Sequence, residues 1–382
     1  MKLPTEWKQI TLGEIFVFNK KSKIKAGEGK KDGKYKFFTS SEIQNKFIDK
    51  AIFDGESLIF STGGNAGVHY CDEKFSATTD CFVLKVDNKI KTKYVYYYLL
   101  SNIQILEKGF KGIGLKHLSK EYLKNIKIIF PEDISIQKNI ISVLETIDQT
   151  KELRKESDLL TNDFVKAIFF EMFGDSIKNS SNWKTEIIDK CGIVSSGLTL
   201  NPKRRNESSN LTPYLRVGNV YRNRLDLTEM KEIHISKKEE ERYLVKNEDV
   251  LVVEGHGNIQ EIGRSSVWTS EIKKCAHQNH IIKIRTNKNI VNPYFLSYYL
   301  NLYGDHGYFS TKSNTTSGLN TISTNKVRNA QVLLPPIELQ NEFSKIIKEI
   351  DCLKKYQKEV KVNLENLYEN LMQRAFKGET IC

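Results

Sequence analysis

Leu58-Ile59-Phe60-Ser61-Thr62-Gly63-Gly64-Asn65-Ala66-Gly67 and Val250-Leu251-Val252-Val253-Glu254-Gly255-His256-Gly257-Asn258 are one device met twice, an apolar run of strand length entering a glycine-rich turn. Such a run, bounded by turn residues, reads as a strand buried on both faces. What surrounds it repeats as well. Upstream lie Trp7 with Leu12-Gly13-Glu14-Ile15, and Trp183 with Ile187-Ile188. Downstream come the tyrosine-rich helical segments Tyr94–Leu100 and Tyr294–Leu300, then Gly114-Leu115…Leu118-Ser119 and Gly318-Leu319…Ile322-Ser323. A strand ending in proline closes each copy, Ile126–Pro131 and Ala330–Pro335.

After each closing proline a long helical pattern begins. Leu339, Phe343, Ile346, Ile350, Leu353, Gln357, Val360, Leu364, Leu367 and Leu371 keep a 4-3 spacing, the mark of a helix-pairing seam. The counterpart starts Ile136, Ile140, Val143, Ile147 and resumes at Leu160, Phe164 and Ala167, with polar Thr150, Arg154 and Ser157 between. Ile147-Asp148 and Ile350-Asp351 match at an offset of 203. Neither segment contains Pro or Gly, so each predicts a helix of about 50 Å or more at ~1.5 Å per residue. The expected architecture is α+β: two similar α/β globules, residues 1–130 and 176–334, separated by two long antiparallel coiled-coil helices in 131–175 and 335–382. The polar middle of the first helix leaves two arrangements open. Either the helices splay there, or Arg154 meets an acid on the partner helix.

The charge follows the same division. Residues 1–130 hold 23 lysines and no arginine against 14 acidic groups, a net of +9. Residues 131–175 are at −5, residues 176–334 at +8, and residues 335–382 are neutral. Two basic globules are the electrostatic footprint of a polyanion partner, although lysine-rich surfaces also serve solubility. The apolar runs are far short of the ~20 residues of a membrane span. The start, Met1–Ile10, has no apolar core of a secretory signal. Six scattered cysteines without a C-x-x-C pair suit neither a zinc ribbon nor a disulfide framework, and point to a reducing cytoplasm.

Taken in order, the doubled glycine-rich turns, Lys34-Tyr35-Lys36-Phe37-Phe38-Thr39-Ser40-Ser41, Ser196-Gly197-Leu198-Thr199, Thr212-Pro213-Tyr214-Leu215-Arg216-Val217-Gly218-Asn219-Val220, Leu334-Pro335-Pro336-Ile337-Glu338-Leu339-Gln340 and the ending Asn370–Glu379 resemble the specificity (S) subunit of type I restriction–modification systems. The resemblance covers essentially the whole chain. It implies two target recognition domains, each reading one half of a bipartite, asymmetric sequence in double-stranded DNA. It implies helices that set the spacing and recruit two modification (methyltransferase) subunits, with restriction (translocase/nuclease) subunits joining them. It also implies that this chain catalyses nothing and binds no cofactor itself. S-adenosylmethionine, ATP and Mg belong to the partner subunits.

An alternative class is a DNA adenine methyltransferase or nuclease acting on its own, which would need an active site. Asn292-Pro293-Tyr294-Phe295 is one proline short of an amine-binding loop, and its counterpart, Thr92-Lys93-Tyr94-Val95, could not serve that chemistry. Helix capping by Thr92 or Asn292, with Pro293 at the first helical position, explains both copies. Asp249…Glu254-Gly255-His256 faintly suggests an acidic nuclease site, but Ser57 and Thr62 stand in its place in the first copy. His277 and His280 fall in a strand-like run that would turn them to opposite faces. No Walker-type loop occurs. A scaffold without a nucleic-acid role would not gather its positive charge in the globules.

Arginine is the commonest reader of guanine, because its fork spans O6 and N7. The candidates in the second globule are Arg204, Arg205, Arg216, Arg222 and Arg224, with Asn219 and Asn223 for adenine. His256 and Asn258 sit at the turn tip, and Asn314 in a later loop. In the first globule Lys20, Lys21 and Lys23 suit phosphate positioning. Thr39, Ser40 and Ser41 can reach base edges, Asn65 sits at the turn tip, and Lys111 corresponds to the Asn314 loop. The glycine-rich turns either approach an anion or only need positive φ. The residues expected to pair the helices are Ile140, Ile147, Leu160, Phe164, Phe343, Ile350, Leu353, Leu364 and Leu371.

Overall fold

The computed structural model describes residues 6–112, 116–175, 178–201, 211–305, 308–311, 313–316 and 319–377. The chain forms two compact units, Met1–Ser157 with Tyr356–Cys382, and Asp158–Lys355. Each unit therefore combines one globule with the near end of one long helix and the far end of the other.

The internal repeat is realised strand by strand. In the first unit an antiparallel sheet runs in the order Phe16–Phe18, Cys81–Val86, Ser57–Ser61, Val68–Cys71. In the second the order is Gly192–Ser196, Ile281–Thr286, Val250–Val253, Ser265–Val267. A second sheet accompanies each. Lys46–Ile48, Tyr35–Phe38 and Phe75–Ala77 match Lys231–His234, Leu211–Leu215 and Ala276–His277, and the last pair of each trio is parallel. Trp7–Thr11 pairs with Lys127–Pro131, and Lys184–Ile187 with Gln331–Leu334, so each globule closes on the strand before its long helix.

The doubly buried strands explain the continuous apolar runs. Leu58 and Phe60 enter the core beneath the tyrosine-rich helix Thr92–Ser101, while Ile59 packs on the other side with Phe38, Phe75 and Val83. Val250 and Val252 likewise face the helix Pro293–Asp305, and Leu251 and Val253 pack with Leu215, Trp268 and Ile281. Alternate side chains of a strand point to opposite faces, so a strand sandwiched in this way has no polar side.

The capping expectation holds for one copy only. Asn292 Oδ1 accepts from Tyr294 N at 2.9 Å, with Pro293 opening the helix. Thr92 is instead a buried residue inside its helix, which starts after Lys91 without a side-chain cap. In both copies a buried glutamine of the long helix takes the backbone N–H of the residue before the tyrosine-rich helix. Gln137 Oε1 accepts from Lys91 N at 2.9 Å while Nε2 donates to the Pro131 carbonyl at 2.8 Å. Gln340 repeats this, accepting from Asn292 N at 2.9 Å and donating to the Pro335 carbonyl at 2.8 Å. Each long helix is thus pinned to its own globule by an amide whose oxygen and nitrogen are both engaged, at the same offset of 203.

The long helices span Ile134–Phe173 and Ile337–Ala375, 40 and 39 residues, or about 60 Å each at ~1.5 Å per residue. The first ends at Gly174, whose φ of 76° is the left-handed stop that glycine tolerates; its N–H donates to the Phe170 carbonyl at 2.8 Å. Within each unit the start of one helix packs with the end of the other. Ile140, Leu144 and Ile147 are buried in the first unit, where Ile140 and Leu144 share a core with Met372, Ala375 and Phe376. In the second unit Val165, Phe169 and Phe173 meet Phe343, Ile347 and Ile350.

This is not the whole expected seam. Ile140, Ile147, Phe343 and Ile350 are buried as expected, and Leu364 and Leu371 are partly buried. Leu160, Phe164 and Leu353 do not pair the helices: they stand 61%, 58% and 57% exposed. Two 4-3 registers share every seventh residue, and the helices use the one running through Leu144, Lys151, Val165, Ile347 and Tyr368. The docked ends choose the register, so the mid-helix contact is polar or mixed, as where Lys151 Nζ lies 4.1 Å from the Tyr368 ring centroid. Arg154 donates from Nη2 to Ser157 Oγ of its own helix at 2.9 Å.

The repeat diverges where the helices meet the tyrosines. Tyr97 Oη donates to Asp148 Oδ2 at 2.9 Å in the first unit. In the second, the buried Tyr298 hydroxyl has no hydrogen-bond partner among the described residues, and burial pushes the nearby Asp351 carboxyl up to about 6. A carboxyl raised from its ordinary 3.8 binds its proton more tightly in the folded state. Its ionisation therefore subtracts stability as pH rises from about 4 to 6, and the whole penalty is present above that. Asp351→Asn should stabilise the protein by about 1–3 kcal/mol at pH 8 and little at pH 4. Urea unfolding at both values checks this, and equal effects at the two would contradict it.

Candidate nucleic-acid interface

At one end of each four-stranded sheet, five separate segments converge through the same backbone hydrogen bonds. In the first unit Thr62 N donates to the Asp80 carbonyl at 2.9 Å, and Leu118 N to the Thr62 carbonyl at 3.0 Å. Thr78 N reaches the Phe38 carbonyl at 2.9 Å, and Thr79 N the Ile24 carbonyl at 3.0 Å. In the second, Glu254 N donates to His280 and Ile322 N to Glu254, both at 2.9 Å. Gln278 N reaches Leu215 at 3.0 Å and Asn279 N reaches Leu198 at 2.9 Å.

This junction gathers most of the expected residues of the first globule. The Lys20, Lys21 and Lys23 loop arrives beside Thr79, and all three lysines are exposed. Ser40 Oγ donates to the Asp80 carbonyl at 3.4 Å, and His69 Nε2 lies 2.9 Å from the Ser41 carbonyl. Thr39 Oγ1 accepts from Ser41 N at 3.3 Å, which shapes this turn. Asn65 is exposed at the turn tip, and Gly64 has φ 80°, so a backbone requirement for glycine holds there. Lys111 is exposed in the hairpin Phe110–Lys111 with His117–Leu118, which bridges to Gly63.

In the second globule Gly255–His256, Leu319–Thr321 and Asn314–Thr316 form one small sheet, which joins the glycine-rich turn to the Asn314 segment. His256 Nδ1 accepts from Asn258 N at 2.9 Å, and Asn258 Oδ1 accepts from Gln260 N at 3.1 Å. Neither Gly255 nor Gly257 has positive φ; at Gly255 a Cβ would come within 3.1 Å of the Thr321 methyl, so close approach favours glycine there.

The arginine and asparagine candidates divide. Arg204 and Arg205 lie outside the described residues. Arg216 is turned inward, its Nη2 donating to the Glu229 carbonyl at 2.9 Å, with the Glu229 carboxylate 3.3 Å away. Arg222 donates to the Gln260 carbonyl at 2.6 Å and holds its hairpin down. Asn219 cannot read adenine: it is buried, its oxygen accepts from Arg216 N at 2.8 Å, and its nitrogen donates to the Asp226 and Glu229 carbonyls at 2.7 and 3.1 Å. Asn223 is likewise committed, accepting from Ser297 Oγ at 3.1 Å and Asn301 Nδ2 at 2.7 Å. Arg224 remains exposed on the hairpin, its guanidinium 4.5 Å from the Tyr221 ring centroid. That stack orients the fork without occupying its donors.

Of the acidic and histidine motifs, Asp249 and His277 resolve as structure. Asp249 is buried and takes both Arg285 Nε at 2.8 Å and Nη2 at 2.7 Å. Burial pushes the His277 imidazole down to about 3, and its Nδ1 lies 2.8 Å from the Tyr243 carbonyl. Glu254 Oε2 sits 3.2 Å from His280 Nδ1; burial raises the Glu254 carboxyl, and His280 works against that. Residues 78–80 and 278–280 were missed as junction members. The offset of 200 that aligns Phe75–Val86 with Cys275–Thr286 would have found them.

Two α/β globules of one plan, each with a converged junction beside a glycine-rich turn and each docked on long helices, define a duplicated fold with two equivalent junctions. The profile of the type I restriction modification DNA specificity domain matches residues 4–159 and 180–366, and the chain belongs to that family. It is a specificity subunit of a type I restriction–modification system, the component that confers DNA sequence specificity and is not itself catalytic. It is 23% identical over 321 residues to the StySPI specificity subunit of Salmonella potsdam, covering 78% of this chain and 68% of that one. The EcoKI specificity subunit of Escherichia coli K12 is 22% identical over 326 residues, with the same coverage. The S subunit structure from M. genitalium superposes with a TM-score of 0.64 over 98% of both chains at 16% identity, which attests the fold.

Proposed function

We propose that each globule reads one half of a bipartite, asymmetric target in double-stranded DNA through its junction. One observation carries this reading. The same five segments converge at the same end of both sheets, in the two parts of the chain with net charges of +9 and +8. In the first globule Lys20, Lys21, Lys23 and Lys111 set the register on phosphates, and Thr39, Ser40, Ser41 and Asn65 face base edges. In the second, His256, Asn258, the Asn314 segment and Arg224 take that part. The long helices hold the half-site spacing and recruit two modification subunits, to which restriction subunits add. Methyl donor, ATP and Mg act on those partners, in the cytoplasm. No described helix is long and apolar enough to cross a membrane.

The test is to map the methylated motif by sequencing host DNA with and without this gene, then to measure binding of the assembled complex to single-base variants at two salt concentrations. Neutralising Lys20, Lys21 and Lys23 to Gln should weaken binding to every variant alike and reduce the salt slope by about 0.9 per lost phosphate contact. Arg224→Lys keeps the charge but removes the fork, and should cost ~1–3 kcal/mol at one base pair of the second half-site only. Base preferences untouched by Arg224→Lys would reduce Arg224 to a phosphate contact. An unchanged salt slope in the triple-lysine variant would remove the junction from the interface.

A further inference from the structure

Each junction contains one carboxylate, contributed from opposite sides of the same hydrogen bond. In the first unit Thr62 N donates to Asp80, so the acid is on the accepting residue; in the second Glu254 N donates to His280, so the acid is on the donating one. The two acids thus flank equivalent backbone hydrogen bonds, one from the strand end and one from the turn that meets it. Asp80 is exposed, and its carbonyl, not its carboxylate, takes Ser40 Oγ. Glu254 is held by His280 through Oε2 at 3.2 Å, which fixes the direction of Oε1.

On the proposed reading, a carboxylate at the junction of a basic globule works against phosphate contact. Non-specific affinity is better served by any neutral residue in that place. Its use there is as an acceptor without donors. It can take an exocyclic amino group, cytosine N4 above all, and it repels the acceptor edges, O6 and N7 of guanine and O4 of thymine. We propose that Asp80 and Glu254 are specificity-determining residues, each accepting an exocyclic base amino group in its own half-site. The proposal rests on the reading of the junctions as the DNA interface. It adds a negative reader to surfaces whose other candidates are donors or neutral amides.

The experiment uses the specificity subunit assembled with its modification subunits and duplexes carrying every single-base variant of the mapped motif. Asp80→Ala should reduce discrimination about tenfold to a hundredfold at one base pair of the first half-site and leave the second unaltered. Glu254→Ala should do the converse. Asp80 is exposed and carries no structural bond through its carboxylate among the described residues, so its variant reports on recognition even if Glu254→Ala disturbs the fold. Tighter binding to all duplexes with unchanged base preference would overturn the proposal, because the acids would then act only as repulsive charge. The interface reading would survive that result. It fails separately if neutralising Lys20, Lys21 and Lys23 leaves the salt slope unchanged, and the proposal falls with it.

Discussion

Phe169→Ala should destabilise the second unit by about 3–5 kcal/mol, the range for a large aromatic removed from a core. Phe169 is fully buried near the end of the first long helix, and besides its neighbour Phe170 it meets rings of its own helix, the tyrosine-rich helix and the second long helix. It lies 5.6 Å from Phe295 of the tyrosine-rich helix in near-parallel stacking, 4.9 Å from Phe173, and 5.4 Å from Phe343 of the second long helix at 84°. The ring therefore joins the globule to both long helices, and the void left by alanine would be lined by aromatic faces that cannot collapse into it. Phe170, its neighbour on the outer side, is 40% exposed, and Phe170→Ala should stay within about 0.5–1 kcal/mol. Urea melts of both variants followed by near-ultraviolet circular dichroism make the comparison. Similar midpoints for the two would mean the aromatic cluster does not fasten the helices to the globule.

The sheets and turns were legible because a doubly buried strand must be apolar throughout, and few other structures place Leu58–Phe60 or Val250–Val253 against a glycine-rich turn. The long helices were legible from spacing and from the lack of Pro and Gly. Their contact face was not. Phe343, Ile350, Leu364 and Leu371 belong to both possible 4-3 registers, so the pattern alone cannot choose between Leu353 and Ile347 as neighbours of Ile350. The choice is made at the helix ends, by Gln137 and Gln340 and by the Phe169–Phe173 pair, through contacts distant in sequence. The same limit governed the junction. Asn219 and Asn258 occupy comparable polar turns, yet one amide is consumed by three backbone partners while the other lies exposed at the turn tip. Local sequence does not record where a carbonyl ten residues away will fall.

The helix register leaves apolar side chains on the outer faces of both long helices. Leu160 and Phe164 stand four apart on one face of the first long helix, and both are exposed. Val360 and Leu367 are 52% and 48% exposed on one face of the second. Large apolar side chains repeated at helical spacing on a solvent face mark an interaction surface, and each unit carries one such stripe. On the proposed function these stripes receive the modification subunits. Leu160→Asp with Phe164→Asp should weaken assembly with modification subunits by at least about thirtyfold, since a buried apolar anchor replaced by a charge costs 2 kcal/mol or more at an interface centre. The isolated specificity subunit should lose little stability, because neither side chain contributes to a core and surface changes are usually within about 0.5 kcal/mol. Ile147→Asp is the contrasting variant: Ile147 is buried on the inner face, so a charge there should unfold its unit before assembly can be tested. Co-purification with tagged modification subunits, alongside thermal melts of the free chain, separates the outcomes. Wild-type assembly by the Leu160/Phe164 double variant would show that the outer stripe of the first helix is not where the partner docks.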